Sequence, residues 1–236
     1  MSLTHADIKL IRSLGSKKFR DETGLFVVEG EKLVAEALES RFAVERVIRR
    51  EEIGEEAMAK ISQLSSPSPV LALVRQEAEG ETLPEKGLIL ALDGIRDPGN
   101  LGTILRIADW FGVDAVVASP DSAERYNPKV VQATMGALFR VPFFTRELPE
   151  CLQRLRQAGG RIYGTFLDGE NIYNQSFPQT DGVTVAVIGN EANGISAPVE
   201  AFCDRRLTIP RYGHGESLNA AVATALVIAE LRRNTN

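Results

Sequence analysis

Three segments of the chain combine glycines with polar side chains that could take part in chemistry. The first contains Asn100 and Arg106, the second contains Glu191, and the third contains Ser217 and Asn219. In each segment an apolar run of strand type ends in a glycine-containing polar loop, and a helical pattern follows. Ligands of open α/β sheets bind beyond the carboxyl ends of strands. The three segments therefore predict a binding site built from amide, carboxylate, hydroxyl and guanidinium groups.

Several common kinds of site are excluded by the same residues. The stretch 94–100 comes close to a phosphate-binding loop, but Asn100 stands where that loop needs lysine, which argues against a nucleoside triphosphatase. The chain contains no G-x-G-x-x-G, so the dinucleotide fingerprint is absent. The chain has two histidines and two cysteines, Cys151 and Cys203, and the cysteines lack the spacing of metal ligands, so no metal is predicted.

Each of these polar residues also has a simpler explanation when it is taken alone. Arg106 could form a surface ion pair, and Glu191 could be an exposed loop carboxylate. Ser217 could do no more than cap the last helix, because serine accepts hydrogen bonds from the free backbone N–H groups of a helix start. The occurrence of three such strand-to-loop transitions in one chain favours a functional site over packing.

Composition indicates a globular protein of 236 residues, of which 44% are hydrophobic and 25% are charged. No apolar run approaches the roughly 20 residues that span a bilayer, and the first residues show no basic-then-apolar leader pattern. Cysteine is rare and unpatterned. We therefore expect a cytoplasmic protein with free thiols.

The charge distribution is uneven, although the formal net charge is −5. A segment without acidic residues carries five basic ones, namely Lys9, Arg12, Lys17, Lys18 and Arg20. Basic clusters bind nucleic-acid phosphates and release counterions. A solvated helix face is the alternative explanation for such a cluster.

Strand and helix patterns alternate along the chain and predict an α/β fold with two domains. We expect a small first domain over residues 1–80, a Glu- and Gly-rich linker over 81–87, and a second domain over 88–236. The continuously apolar run Val183–Ile188 is typical of a parallel strand that is buried on both faces. Helices important for the site are predicted over 102–111, 128–138 and 218–232, the last of them capped by Ser217.

The three segments resemble the three signature motifs of the SpoU (TrmH-type) RNA 2′-O-methyltransferases of the SPOUT superfamily. Asn100 with Arg106 matches the first motif, and the segment 189–196 around Glu191 matches the second. Ile209-Pro210 followed by Ser217-Leu218-Asn219 matches the third. Residues 127–137 resemble a family stretch between the first two motifs. The first domain is similar to the family's substrate-binding domain, which has a fold like that of ribosomal protein L30e.

This resemblance implies a C-terminal parallel-sheet domain with a deep trefoil knot and S-adenosylmethionine as methyl donor. It also implies a homodimer with the active site near the dimer interface. The cofactor pocket would be lined by five residues, namely Thr165, Leu167, Gly189, Ile209 and Leu218. No phosphate has to be bound there, so backbone amides and apolar walls suffice.

The resemblance further implies that a methyl group is transferred to a ribose 2′-hydroxyl, with Arg106 as the essential arginine. Because a guanidinium stays protonated in proteins, we interpret Arg106 as a phosphate clamp that also stabilises the developing alkoxide. Asn100 and Asn219 would orient the ribose and Arg106. Ser217 would donate a hydrogen bond in the site, and Glu191 would hold the third motif or Arg106.

Ribosomal RNA of the 23S type is the favoured substrate, because the first domain is of the L30e-like type. The basic segment from Lys9 to Arg20 would contact RNA phosphates. Three alternatives remain open, namely a transfer-RNA methyltransferase, an RNA-binding ribosome-assembly factor with incidental methylation, and an α/β binding protein unrelated to RNA.

Overall fold

A computed structural model of the protein describes residues 3–177 and 182–233. The chain forms two compact units. One unit ends at Ala78 and also takes in Glu124–Arg140, and the other takes in Glu79–Ala123 and continues from Val141. The segment Glu124–Arg140 lies inside the range 88–236 that the sequence assigned to the second domain. It packs within the first unit instead, so contiguous ranges do not describe the packing of this segment.

The helices and strands alternate over much of the chain. The helices are α1 (His5–Ser13), α2 (Lys17–Thr23), α3 (Glu31–Glu39), α4 (Arg50–Ile53), α5 (Glu55–Ile61), α6 (Pro98–Trp110), α7 (Pro128–Thr134), α8 (Leu148–Gln157), α9 (Ala197–Glu200) and α10 (Ala220–Arg233). The strands are β1 (Leu25–Glu29), β2 (Val44–Arg49), β3 (Val70–Arg75), β4 (Gly87–Asp93), β5 (Ala115–Ala118), β6 (Phe143–Thr145), β7 (Arg161–Asn171), β8 (Val183–Gly189) and β9 (Arg205–Thr208). Single 3₁₀ turns lie at Ala137–Phe139 and Ile172–Asn174.

The first unit is built on an antiparallel sheet with the strand order β1-β3-β2. Successive side chains of a strand point to opposite faces, and both faces of this sheet are covered. Phe26 and Val28 of β1 pack with residues of α3 and α7. Val27, between them, packs on the other face with Ile11 of α1 and Met58 of α5. The near-continuous apolar character of β1 and β3 follows from this two-sided burial.

The second unit contains a six-stranded parallel sheet in the order β6-β5-β4-β8-β7-β9. This confirms the predicted α/β fold with a parallel C-terminal sheet. The pairing of β4 with β8 runs in register from Gly87 opposite Val183 to Asp93 opposite Gly189. The loops that follow these two strands therefore start side by side. The trefoil knot stays a prediction. No described helix is both long enough and apolar enough to cross a membrane.

Helix α6 begins at Pro98, so the predicted start at residue 102 was wrong. The Asp97 side chain accepts a hydrogen bond from the backbone N–H of Asn100 (2.8 Å), and Pro98 occupies the first helical position. Both features are strong helix-start signals. Asn100 therefore lies in the first turn of a helix and not in a loop.

Helix α10 begins at Ala220, two residues later than predicted, and Ser217 does not cap it. The Asn219 side-chain oxygen accepts hydrogen bonds from the backbone N–H groups of Ala221 (3.0 Å) and Val222 (3.3 Å). Asn219 is therefore the capping residue, since asparagine caps helices as well as serine does.

Helix α7 ends at Thr134, before the predicted end at residue 138. Met135 adopts φ of 50°, and Gly136 has φ of 97°. A left-handed residue cannot continue a right-handed helix. The chain resumes with the 3₁₀ turn Ala137–Phe139, whose side chains are buried.

Candidate functional site

Residues of all three motifs meet in one hydrogen-bonded chain of side chains in the second unit. The Asn100 amide group donates to the Glu191 carboxylate. The Asn219 amide group donates to the Asn100 side-chain oxygen at 2.8 Å, and Asn219 caps α10 with its own oxygen. Each amide is thereby held in one orientation. Asn100 is half-buried, whereas Glu191 and Asn219 are exposed, so the chain of hydrogen bonds lies at the surface.

The second-motif loop is held against the first-motif loop by Asn190. Its amide group donates to the Gly94 carbonyl oxygen at 2.7 Å, and its side-chain oxygen accepts from the backbone N–H of Ala192 at 2.8 Å. Gly189 begins this loop, and an added Cβ there would lie 2.3 Å from the Gly194 carbonyl carbon. Only glycine fits this close backbone approach, which accounts for the residue at this position.

Two further side chains, Ser119 and Asp93, hold the loops of the first and second motifs in place. The Ser119 hydroxyl accepts from the Gly94 backbone N–H (2.8 Å) and donates to Asp121 (2.7 Å). That hydrogen bond, followed by one from Arg96, lowers the pKa of the Asp121 carboxyl from its ordinary value. Asp93, at the end of β4, accepts from the backbone N–H of Ser196 at 2.7 Å. The loops after β4 and β8 are therefore held by hydrogen bonds between side chains and backbone groups.

A surface groove of about 510 Å³ is lined by residues of α6 and of the α10 segment. Asn100 and Thr103 line it from α6, and Asn219, Val222 and Leu226 line it from the α10 side. The groove combines the polar amides of the hydrogen-bonded chain at one end with apolar side chains along the helices. It is open to solvent and reaches the residues of the first and third motifs.

Arg106 is exposed, and its guanidinium has no hydrogen-bond or ion-pair partner among the residues that the structure describes. It follows Gly99 and Thr103 at helical spacings of seven and three, so the three residues share one face of α6. Gly99 and Thr103 line the groove. Arg106 therefore shares a helical face with these two groove residues, and all its donors are available among the described residues. The sequence offered the third motif or Arg106 as the partner of Glu191, and the structure links its carboxylate to the third motif through Asn100, which accepts from Asn219.

Ser217 lies apart from this arrangement. It is exposed, and within the described ranges its side chain makes no hydrogen bond. It belongs to the stretch 211–219, whose residues are all exposed. The structure therefore does not bring Ser217 into contact with the other candidate residues.

Four of the five predicted cofactor residues lie in or directly after three adjacent strands. Thr165 and Leu167 lie in β7, Gly189 ends β8 and Ile209 follows β9. Thr165 is already engaged, because its hydroxyl donates to the Val187 carbonyl oxygen at 2.9 Å. Leu167 is 80% exposed and lies where the pairing of β7 with β9 shifts register, between Thr165 and Glu170. The fifth residue, Leu218, is about half exposed and directly precedes the cap of α10.

The basic segment of the first unit is less uniform than its sequence. Lys9 and Arg12 are exposed and have no ion-pair partner in the described part of the chain. Lys17 pairs with Asp21 and Lys18 with Glu22, both one helical turn away. The four side chains remain accessible to solvent.

Arg20 corrects the predicted RNA-contact set. It is only 1% exposed, donates to the carbonyl oxygens of Leu14 (2.8 Å) and Gly15 (3.0 Å), and forms an ion pair with Glu124. A guanidinium that is enclosed and paired in this way cannot reach an RNA phosphate. Arg20 instead ties α2 to the segment that begins at Glu124, within the same unit.

Sequence reasoning passed over Tyr212, the most exposed large side chain of the third-motif loop. The ring is 93% exposed. Arg211 donates to the Gly215 carbonyl oxygen at 3.2 Å and closes the loop on itself. An aromatic residue between Pro210 and Gly213 in a binding loop was the available signal. Exposed aromatic rings are used to stack unpaired bases.

Comparisons with known proteins agree with this geometry. The SpoU rRNA Methylase family model matches residues 87–229, and the MRM3-like substrate binding domain model matches residues 5–57. The chain is 33% identical to the 23S rRNA (guanosine(2553)-2′-O)-methyltransferase RlmP of Bacillus subtilis, over 98% of each chain.

Solved structures with the same fold cover nearly the whole chain. A structure from Porphyromonas gingivalis, described as an RNA methyltransferase of the TrmH family, superposes with a TM-score of 0.88 at 39% identity over 98% of each chain. The AdoMet-bound rRNA methyltransferase from Sinorhizobium meliloti superposes with a TM-score of 0.90 at 28% identity, over 100% of this chain and 98% of that one. Both units of the chain are therefore present in these relatives.

Proposed function

Because the chain belongs to the SpoU rRNA methylase family, we propose that it transfers a methyl group from S-adenosylmethionine to a ribose 2′-hydroxyl of 23S-type ribosomal RNA. The observation that carries the proposal is the hydrogen-bonded chain Glu191–Asn100–Asn219, which joins the three motifs. The same helix α6 presents Arg106, which has no partner among the described residues. The names of the relatives support both the reaction and the ribosomal substrate.

The carboxyl edge of β7, β8 and β9 fits S-adenosylmethionine by its chemistry. Leu167, Ile209 and Leu218 offer apolar surface, and the strand ends and the loop at Gly189 offer backbone N–H and C=O groups. Such a set suits a cofactor that has adenosine and amino-acid parts but no phosphate. We propose that these residues hold it, together with Thr165, whose hydroxyl fixes the β7 end against Val187. When bound, the cofactor supplies an electrophilic methyl group on a sulfonium.

Residues of this chain must position the ribose 2′-oxygen for methyl transfer and allow its proton to leave. We assign to Arg106 the RNA phosphate next to the target ribose and the negative charge that develops on the 2′-oxygen. Its free donors fit that role, since a guanidinium binds phosphate oxygens in a bidentate manner. Asn100 and Asn219 position the ribose. The Asn100 amide is oriented by Glu191, and the Asn219 amide is oriented by the backbone N–H groups at the start of α10.

We propose that Lys9, Arg12, Lys17 and Lys18 contact RNA phosphates. Lys9 and Arg12 contribute most, because no described residue forms an ion pair with either of them. In the third-motif loop, Tyr212 stacks on a base next to the methylated nucleotide. Stacking on an aromatic ring is a common way to hold an unpaired RNA base. These contacts add RNA affinity from two separate regions of the sequence.

We also propose that the protein is a homodimer and that the groove between α6 and α10 contacts the second copy. Val222 and Leu226 are exposed there, and Trp110 at the end of α6 is more exposed still. An apolar helix face beside a polar site is typical of an interface. Free Cys151 and Cys203 support a reducing compartment, and we propose the cytoplasm as the location, which subcellular fractionation would test.

The test is methyl transfer from labelled S-adenosylmethionine to ribosomal RNA that lacks the modification, followed by mapping of labelled riboses. We expect label at one 2′-oxygen of 23S-type RNA with the wild-type chain and none with Arg106→Ala. Arg161→Ala is the matched control, because Arg161 is exposed at the opposite end of β7. Label in transfer RNA alone would show that the substrate is transfer RNA and not ribosomal RNA. Absence of label on free and assembling ribosomal RNA would refute the proposed reaction.

A further inference from the structure

The first unit contains a cavity that none of the motifs explains. It measures about 400 Å³ and lies between the end of β1, the residues after α5, and α7. Val27, Leu64 and Pro128 give it apolar walls, and Gln63, Lys129 and Gln132 add polar groups. Its size is within the range of small-ligand sites. All the lining residues belong to one compact unit, so the cavity is a property of that unit alone.

The buried carboxylate of Glu29, at the back of the cavity, already has hydrogen-bond donors within the protein. Glu29 is 2% exposed and accepts hydrogen bonds from the Ser62 hydroxyl (2.5 Å) and the backbone N–H groups of Gln63 (3.0 Å) and Ser68 (3.1 Å). Gln132 donates to the Glu29 carbonyl oxygen at 2.6 Å. Three donors compensate the carboxylate charge, so Glu29 stiffens the wall and does not require a bound cation.

The mouth of the cavity is positively charged. Lys129 is exposed, and its ammonium has no ion-pair partner among the described side chains. Gln63 connects the cavity to the basic segment, because its amide group reaches the Ile11 carbonyl oxygen (3.5 Å) and its side-chain oxygen lies beside Gly15. The unpaired cations Lys9 and Arg12 lie on the helix that contains Ile11. Phosphate groups that approach this segment therefore also approach the cavity.

We propose that this cavity binds one unpaired nucleotide of the RNA substrate, with the base between the apolar walls and a phosphate on Lys129. The inference rests on the proposed function, because it takes RNA as the ligand. Specific RNA recognition commonly uses bases that leave the stack and enter protein pockets. Apolar faces suit the base ring, the glutamine amides suit its edge, and the lone ammonium suits the phosphate.

Two substitutions test the two parts of the site. Leu64→Trp fills the cavity, and we expect at least fivefold weaker RNA binding, comparable to the loss of one stacked base. Lys129→Ala should weaken RNA binding and make its salt dependence shallower by about one phosphate contact, and Lys129→Arg should restore both. Lys60→Ala is the matched control, because Lys60 is an exposed lysine of the same unit that is paired with Glu56.

A photoreactive diazirine analogue of leucine at Leu64, which lines the cavity and keeps the size of the native side chain, tests the location directly. We expect irradiation to crosslink it to a single RNA nucleotide, and an excess of unlabelled substrate RNA to compete. S-adenosylmethionine binding and the melting temperature should stay at wild-type values in the lysine variants. If Leu64→Trp lowers the melting temperature strongly, RNA binding by Lys129→Ala and the crosslink decide whether the cavity binds a nucleotide.

The cavity inference and the proposed function fail in different ways. If the wild-type chain methylates RNA, while Lys129→Ala and the control Lys60→Ala bind RNA equally well and the crosslink is absent or spread over many nucleotides, the cavity inference is overturned and the function stands. If the wild-type chain neither binds nor methylates RNA, the proposed function itself is refuted. A crosslink to one nucleotide together with weakened binding by Lys129→Ala supports the cavity.

Discussion

Asn100 offers a sharp test of the site, because it accepts a hydrogen bond from Asn219 of the third motif and donates one to Glu191 of the second motif. In Asn100→Asp the oxygen that accepts from Asn219 is kept, but the group that donates to Glu191 becomes a second carboxylate oxygen. The change is nearly isosteric, so packing is preserved. It replaces one attractive contact with a repulsion between two carboxylates.

The expected cost follows from the exposure of the two partners. A hydrogen bond to a charged group contributes about 1.5–3 kcal/mol when it is sheltered, and the exposed Glu191 and half-buried Asn100 reduce that value. Allowing for the added repulsion, which solvent screens, we expect a net loss of about 1–2 kcal/mol. That corresponds to a roughly 5- to 30-fold lower kcat/KM for RNA. The melting temperature should fall by about 2–8 °C for a chain of this length.

The partner substitutions make the prediction specific. Glu191→Gln keeps an oxygen that can accept from Asn100, so only the charge assistance is lost, and we expect a roughly two- to fivefold effect. In the double variant the direction of donation at this contact reverses, because the new glutamine amide at position 191 can donate to the new carboxylate at position 100. The double variant should therefore be more active than Asn100→Asp alone, which a double-mutant cycle would measure.

The assay is kcat/KM for unmodified ribosomal RNA at saturating S-adenosylmethionine, beside thermal unfolding of all four proteins. A double variant no better than Asn100→Asp would show that the two side chains are not coupled. Wild-type activity and stability in Asn100→Asp would show that the hydrogen-bonded chain does not hold the site. Either result would refute the reasoning that the three motifs act through Asn100.

Four further outcomes are expected. Arg106→Lys should retain only a small part of the wild-type methyl transfer, about 1% or less, because a point charge lacks bidentate geometry; activity near wild type would show that charge alone suffices. Tyr212→Ala should raise KM for RNA about tenfold without changing S-adenosylmethionine affinity, whereas Tyr212→Phe should behave like wild type. Leu226→Glu should give a monomer by analytical ultracentrifugation, unlike the exposed control Leu38→Glu. Burial, followed by nearby carboxylates, raises the pKa of Cys203 to about 12, so iodoacetamide should label it slowly at pH 8 until the chain is unfolded. Since the raised pKa favours the protonated thiol in the fold, this group's contribution to the free energy of unfolding should decline as pH rises from about 9 towards 12.

The strands that form the centre of the second unit could be predicted because burial on both faces leaves a continuous apolar run. Val183–Ile188 is such a run, and the structure extends it by only one residue to Gly189. A short strand at one edge of this sheet was missed. The strand Phe143–Thr145 has three residues, which is too short for a period-two pattern to stand out.

Helix boundaries were harder to predict because capping depends on which side chain turns back to the backbone. Asp97-Pro98 and Ser217-Leu218-Asn219 both contain residues that can start a helix. The predicted start of α6 at residue 102 leaves Asp97-Pro98 in a loop, and the predicted cap of α10 is Ser217 where the structure has Asn219. The structure resolves both cases by hydrogen bonds to Asp97 and Asn219, which composition alone cannot distinguish.

The basic segment shows a different limit. Its five cations are equivalent as sequence, yet Arg20 is enclosed because its ion-pair partner Glu124 lies 104 residues away. A local charge count carries no information about such a partner. The count identifies a segment that can face phosphate, but burial decides which of its side chains do.

The roles within the site depend on contacts that are equally distant in sequence. Asn100 is 91 residues from Glu191 and 119 residues from Asn219. The parallel register of β4 with β8 places Asp93 beside Gly189, which brings the loops of Asn100 and Glu191 together. Contacts between α6 and α10 then bring Asn219 to Asn100. Residue types predicted a polar site, and sheet register explains why the Glu191 carboxylate reaches Asn100. Arg106 forms no ion pair with any described residue, and a guanidinium with free donors suits the binding of an RNA phosphate.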